Sequence, residues 1–173
     1  LDEPEAWQPP ADLVDFLNAG EPPVYIGFGS MGSRKPEEAG QIALEALRRS
    51  GQRGVLASGW GGLQPADLPA SVYLLTALPH SWLFPRMAAV VHHGGAGTTA
   101  AGFRAGVPSI LVPFGLDQPF WGSRAVALGV GTRPIPRKQL TGERLGAAIT
   151  EAVTNQTLRR QAADLGQKIR AED

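Results

Sequence analysis

The sequence predicts an α/β domain of the Rossmann-like, doubly wound type, a parallel sheet with helices on both faces. Three observations carry this. Short runs rich in Val, Ile and Leu recur along the chain, separated by stretches with helical spacing. The runs are almost continuously apolar rather than alternating, the pattern of strands buried on both faces. Glycine and proline, 22 and 15 of the 173 residues, punctuate the joints between them.

The elements follow in order. Residues 1–20 read as an extended linker over 1–10 and a short amphipathic helix over 11–19, ended by Gly20; residues 21–173 then form a single domain. Pro22 and Pro23 launch a strand over 24–28. A helix covers 36–49, with Pro36 in its first turn and Ile42, Leu44 and Leu47 along it. Residues 54–57 and 72–75 are short strands, 80–84 a helical turn and 88–91 the next strand. The alternation continues with a helix over 98–105, a strand over 110–112, a helix over 118–128 and a short strand near 131–135. Thr141 caps a helix that runs to Val153, and a last helix covers 157–170.

The bulk numbers narrow the function classes. A hydrophobic content of 43% and a charged content of 18% are those of an ordinary globular domain. A formal net charge of +0 gives no electrostatic reason to expect nucleic acid or an anionic membrane as partner. There is no cysteine, hence no disulfide or thiolate chemistry, as fits a cytoplasmic protein. No apolar run approaches the roughly 20 residues that span a bilayer, so neither a membrane span nor a signal peptide is expected from these residues.

Ligands of doubly wound sheets bind past the carboxyl ends of the strands. Ser30, Trp60, Leu78, His80, residues 93–98 and residues 114–118 all fall just past predicted strand ends, so they converge on one edge. The most informative segment is His92-His93-Gly94-Gly95-Ala96-Gly97-Thr98-Thr99, which follows an apolar strand and opens a helix. Glycines let the backbone approach a diphosphate, and the free N–H groups and positive dipole of a helix N-terminus attract it. His93, at the mouth of the turn, can donate a hydrogen bond to a phosphate oxygen, while His92 reads as its structural neighbour. Thr98 reads as the helix N-cap, a role compatible with phosphate contact.

Other chemistries fit less well. Gly27-Phe28-Gly29-Ser30-Met31-Gly32 is a literal G-x-G-x-x-G after a first strand. A dinucleotide site also needs a helix at the third glycine and an acid closing the second strand, and the chain has Ala57-Ser58-Gly59-Trp60 there. An esterase oxyanion loop at His93-Gly94-Gly95 would need a later G-x-S-x-G elbow, which the chain lacks. Three histidines and no cysteine supply no plausible metal-ligand set beyond His92 and His93. Asp117 can serve as the N-cap of the helix carrying Gln118 and Pro119, a duty that Gln118 does not share. Trp60, flanked by glycines, can stack on a uracil base or pack on its own loop, and both readings stand. Trp82 and Phe84 read as core anchors.

After His93 come Gly106-Val107-Pro108, a strand, Pro113 and then Asp117-Gln118. These spacings, with the strings GFGSM, GWGGL, PHSWLFP and HHGGAGTTAAGFRAGVPSILVPFGLDQPFWG, resemble the nucleotide-sugar glycosyltransferases of the GT-B fold. Within that group the chain is most similar to the bacterial and fungal sterol-type UDP-glucosyltransferases, from about Pro9 to the C-terminus.

The resemblance implies the C-terminal, donor-binding half of an inverting, metal-independent enzyme. That enzyme moves a hexose from UDP-glucose to a hydroxyl of a lipophilic acceptor such as a sterol, polyketide or phenolic. It implies a donor site built from Ser30, Trp60, Leu78, His80, His93, Gly95, Ala96, Gly97, Thr98, Asp117 and Gln118. Ser30 would face the diphosphate, the backbone of Leu78 to His80 the base edge, and Asp117 with Gln118 the sugar hydroxyls. It also implies a preceding acceptor domain that carries the catalytic histidine, no metal and no cofactor, and a fragment that is inactive alone. Two positions depart from the plant pattern: Ala101 stands where a ribose-binding glutamate is found, and Ala77 where a tryptophan precedes the base loop. A dTDP-sugar donor, or a binding module without catalysis, are the alternatives. A GT-B epimerase would need several acids in the sugar pocket, where only Asp117 is available.

Overall fold

A computed structural model describes residues 7–28, 36–57 and 67–172. Five strands, β1 (Val24–Ile26), β2 (Gly54–Ala57), β3 (Val72–Leu75), β4 (Ala89–His92) and β5 (Ser109–Leu111), form one parallel sheet in the order β3-β2-β1-β4-β5. Val24 pairs with both Gly54 and Ala89, and Val90 with Ser109. Among the described residues seven α-helices surround it: α1 (Ala11–Asn18), α2 (Pro36–Ser50), α3 (His80–Leu83), α4 (Ala96–Ala105), α5 (Gln118–Ala127), α6 (Gly142–Thr154) and α7 (Gln156–Ala171).

The two-residue period of the strands divides the core. On one face Val24, Ile26, Leu56, Val91 and Ile110 pack on Ala43, Ala46 and Leu47 of α2 and Leu145 and Ile149 of α6. On the other, Tyr25, Val55 and Val90 meet Leu13 of α1 and Leu83 and Phe84. Leu13 has no exposed surface, so the helix that the sequence groups with the linker 1–20 is seated in the same core as the sheet. A third cluster joins Phe103 of α4 and Ala125 of α5 to Ala162 of α7. No helix among the described residues is long and apolar enough to cross a membrane.

Most element boundaries fall within two residues of expectation, and two differences are instructive. The strand expected near 131–135 is a single bridge, Ser109 with Gly131, followed by separate bonds from Thr132 N–H to Ser109 O and Ile135 N–H to Leu111 O. Pro134 and Pro136 have no N–H to continue a ladder, so the segment lies along β5 without becoming a strand. The helix expected at Thr98 begins at Ala96. Its N-cap is Gly95, so the cap assigned to Thr98 is corrected: Thr98 sits in the first turn.

Thr141 and Asn155 do cap. Their side-chain oxygens accept the N–H of Arg144 and Leu158, each at 3.1 Å. At the far end of α4, Gly106 takes the left-handed conformation, φ 74°, and abuts α7 so closely that a Cβ on Gly166 would lie 2.6 Å from Gly106 Cα.

Candidate functional site

Strand order reverses between β1 and β4, because the chain runs outward one way through β2 and β3 and the other way through β5. Crevices at such switch points open at the carboxyl ends of the strands. His93, Gly94 and Gly95 bridge β4 to α4 there. Gly94 has φ 93°, and a Cβ on it would meet Leu111 Cδ2 at 3.0 Å and Gln118 O at 3.2 Å. Only glycine fits this turn. Gly95 accepts the Thr99 N–H at 2.9 Å, and no side chain caps the helix. The N–H groups of Ala96, Gly97 and Thr98 therefore have no partner within the helix. The space around Gly97 is open, since a Cβ there would touch nothing within 4 Å.

His93 is half-buried and folds back over this helix end. A Cβ on Gly95 would be 2.8 Å from His93 Nε2. Its Nδ1 is buried with no hydrogen-bond partner, and burial lowers its pKa, so the ring is neutral at pH 7. A neutral ring with no acceptor at Nδ1 is best served by the tautomer that carries its proton on Nε2, the atom above the helix end.

His92 is fully buried, and its Nδ1 accepts the Gly94 N–H at 3.1 Å, which shapes the turn. Burial, then the neighbouring His93 and His80, push its pKa down to about 3. His92 is thus the structural partner expected.

The end of β5 supplies the opposite wall. Gln118 is 3% exposed, and its Oε1 accepts the Phe114 N–H at 2.7 Å, bracing residues 114–118. Asp117 occupies the N-cap position of α5 but its carboxylate caps nothing; Oδ2 instead accepts Trp121 Nε1–H at 3.1 Å. The capping duty assigned to Asp117 is corrected accordingly. Its α-helical backbone, φ −81° and ψ −3°, replaces the extended conformation a capping side chain needs. Leu116, with φ 58° and 86% exposure, stands beside it as the one non-glycine residue at positive φ among the described residues.

The helical turn after β3 brings His80 to the same edge. Its ring stacks on Phe84 at 4.3 Å and meets Tyr25 edge-on at 5.8 Å, while burial lowers its pKa. Leu78 packs with the same aromatic cluster. Gly95, Ala96, Gly97, Thr98 and His93 are thus brought together with Asp117 and Gln118. Leu78 and His80 lie on the β3 side of the edge, and Ser30 and Trp60 lie outside the described residues.

The sequence marks Phe114 only as the first of residues 114–118 past a strand end, and it gives Arg137 no role. The Phe114 ring meets Phe28 edge-on at 5.7 Å, lies nearly parallel to His93 at 6.4 Å and carries the Arg137 guanidinium at 5.0 Å. The available signal was an aromatic directly past a strand end and a basic pair, Arg137 and Lys138, after a proline-fixed segment.

The family described as erythromycin biosynthesis protein CIII-like, C-terminal domain, matches residues 62–173. The chain belongs to this family of GT-B glycosyltransferase C-terminal domains. Among relatives of this glycosyltransferase domain is a sterol 3-beta-glucosyltransferase of Arabidopsis thaliana, 48% identical over all of this chain and 27% of its own length. Another is the vancomycin aglycone glucosyltransferase of Amycolatopsis orientalis, 44% identical over 90% of this chain and 37% of its own. The crystal structure of a calicheamicin glycosyltransferase shares the fold, with a TM-score of 0.75 at 24% identity over 96% of this chain and 42% of that one. The glycosyltransferase domain thus spans well under half the length of these relatives.

Proposed function

We propose that this domain binds the UDP-glucose donor of an inverting, metal-independent glycosyltransferase, and that the hexose passes to a hydroxyl of a lipophilic acceptor held by a preceding domain. The observation that carries this reading is the uncapped start of α4 with His93 Nε2 folded over Gly95. As the bond from sugar to diphosphate breaks, negative charge gathers on the leaving phosphate. The N–H groups of Ala96, Gly97 and Thr98, the helix dipole and a neutral His93 donor would stabilise that charge from fixed positions. Asp117, beside this helix end, would face the sugar, and Gln118 would brace the loop that carries it. Relatives named as sterol and vancomycin aglycone glucosyltransferases support glucose as the hexose, and the sterol relative supports a lipophilic acceptor.

Titration calorimetry with UDP in the presence of a chelator tests the reading. The wild-type chain should bind, and His93→Ala should weaken binding by about 1–3 kcal/mol while leaving the fold intact. An absolute requirement for magnesium, or unchanged UDP affinity in folded His93→Ala, overturns it. With UDP-glucose and a sterol, residues 1–173 alone should show no transfer, because acceptor positioning is worth about 7–11 kcal/mol of a barrier. Supplying a preceding domain from a full-length relative should restore turnover.

A further inference from the structure

Bound at the start of α4, a diphosphate would meet dipoles but, from the residues of that turn, no full positive charge. The helix end contributes about half an elementary charge, and His92 and His93 are both held neutral at pH 7 by burial. A guanidinium is charged at any working pH.

Among the described residues, the guanidinium of Arg137 lies at this crevice. Residues 132–135 are tied to β5 by the Thr132 and Ile135 N–H bonds, which carry the chain past the carboxyl end of the strand. Arg137 follows at the head of a short 3-10 turn (Arg137–Gln139), its N–H toward Pro113 O at 3.4 Å. Its side chain lies over Phe114, the ring that also touches Phe28 from the end of β1 and His93 from the end of β4. The cation is therefore one ring away from the imidazole at the α4 terminus. No carboxylate among the described residues pairs with it. An exposed cation resting on an aromatic face is weakly held, so a phosphate can draw it off at little cost.

We infer that Arg137 is the cationic contact of this site, its guanidinium moving from the Phe114 ring to the diphosphate of a nucleotide-sugar seated on the α4 N-terminus. This rests on the donor-binding reading above and adds the residue that supplies charge to it. A planar guanidinium can take two phosphate oxygens at once, which an ammonium cannot.

The test is calorimetry of the 173-residue chain with UDP, UMP and uridine, for the wild type, Arg137→Gln and Arg137→Lys, at low and high salt. Arg137→Gln should bind UDP about tenfold more weakly, lose less for UMP and nothing for uridine, and show a flatter salt dependence. Arg137→Lys should recover part of the UDP affinity. Unchanged UDP affinity in Arg137→Gln, with His93→Ala impaired, overturns the inference and leaves the donor site standing. Equal losses for UDP and uridine also overturn it, because they make Arg137 a prop for Phe114. A wild-type chain that binds no UDP overturns the donor reading itself.

Discussion

The side-chain carbonyl of Gln118 accepts the main-chain N–H of Phe114 at 2.7 Å, closing the loop between β5 and α5 on itself. Gln118 is almost fully buried, so Gln118→Ala leaves that N–H without its partner. The expected cost is about 1–3 kcal/mol in urea unfolding. The affinities for UDP and UDP-glucose should fall together as the loop loosens.

Asp117 is different. Its carboxylate is exposed and accepts the Trp121 indole N–H. Asp117→Asn keeps an acceptor for the indole N–H and removes the charge. If Asp117 faces the sugar, this variant should unfold like the wild type, bind UDP normally and bind UDP-glucose more weakly. Equal affinities for both ligands in variant and wild type would remove Asp117 from the sugar site.

Acid should destabilise the domain through its histidines. His92 titrates near 6.5 when unfolded but at about 3 when folded, and His93 and His80 shift the same way. Below the unfolded value the unfolded chain binds more protons, so stability is full above pH 6.5 and falls as the pH drops toward the folded value. The slope from His92 alone is at most about 1.4 kcal/mol per pH unit. Urea midpoints between pH 7.5 and 4.5 should show this decline, and His92→Phe should flatten it.

Gly166→Ala places a methyl group against backbone that cannot move aside, 2.6 Å from Gly106 Cα and 2.7 Å from Gly106 N. It should cost about 2–3 kcal/mol and lower the melting temperature. A neutral result would mean that α7 can shift away from α4.

Leu116→Gly should do the reverse. The leucine buries little surface and holds φ 58°, a conformation that costs a non-glycine residue about 1 kcal/mol or more. Replacement should raise stability by about 0.5–1 kcal/mol after allowing for the freer unfolded chain. A stabilised variant that loses transfer in the full-length enzyme would show that the strained turn serves the reaction.

Periodicity and punctuation were enough to read β1 to β5, because their apolar runs lie between glycines and prolines; the segment 131–135 was read the same way but pairs at a single residue. The cap at Thr141 was legible since a β-hydroxyl ahead of a helical pattern has few other uses. Thr98 misled for the same reason. The turn there needed a positive φ at Gly94, and with Gly95 extended the helix starts without a side-chain cap. Asp117 and Gln118 were singled out by the family resemblance, yet local sequence could not tell which one points into the loop, because that depends on the depth of Gln118 behind Gly94. Arg137 was invisible because its neighbours are set by two tertiary hydrogen bonds to β5 rather than by its own surroundings in the chain.

The helix that begins at Ala96 is only ten residues long, about 15 Å, and is clamped at both ends. Gly106 is wedged on α7, and Gly94 is pressed against Leu111 and Gln118. A rod held this way cannot slide along its axis without parting main chain from main chain. An anion arriving there would find donors already in place, so the work of fitting would fall to the ligand and the rim side chains, and little of the binding energy would be lost in ordering the protein.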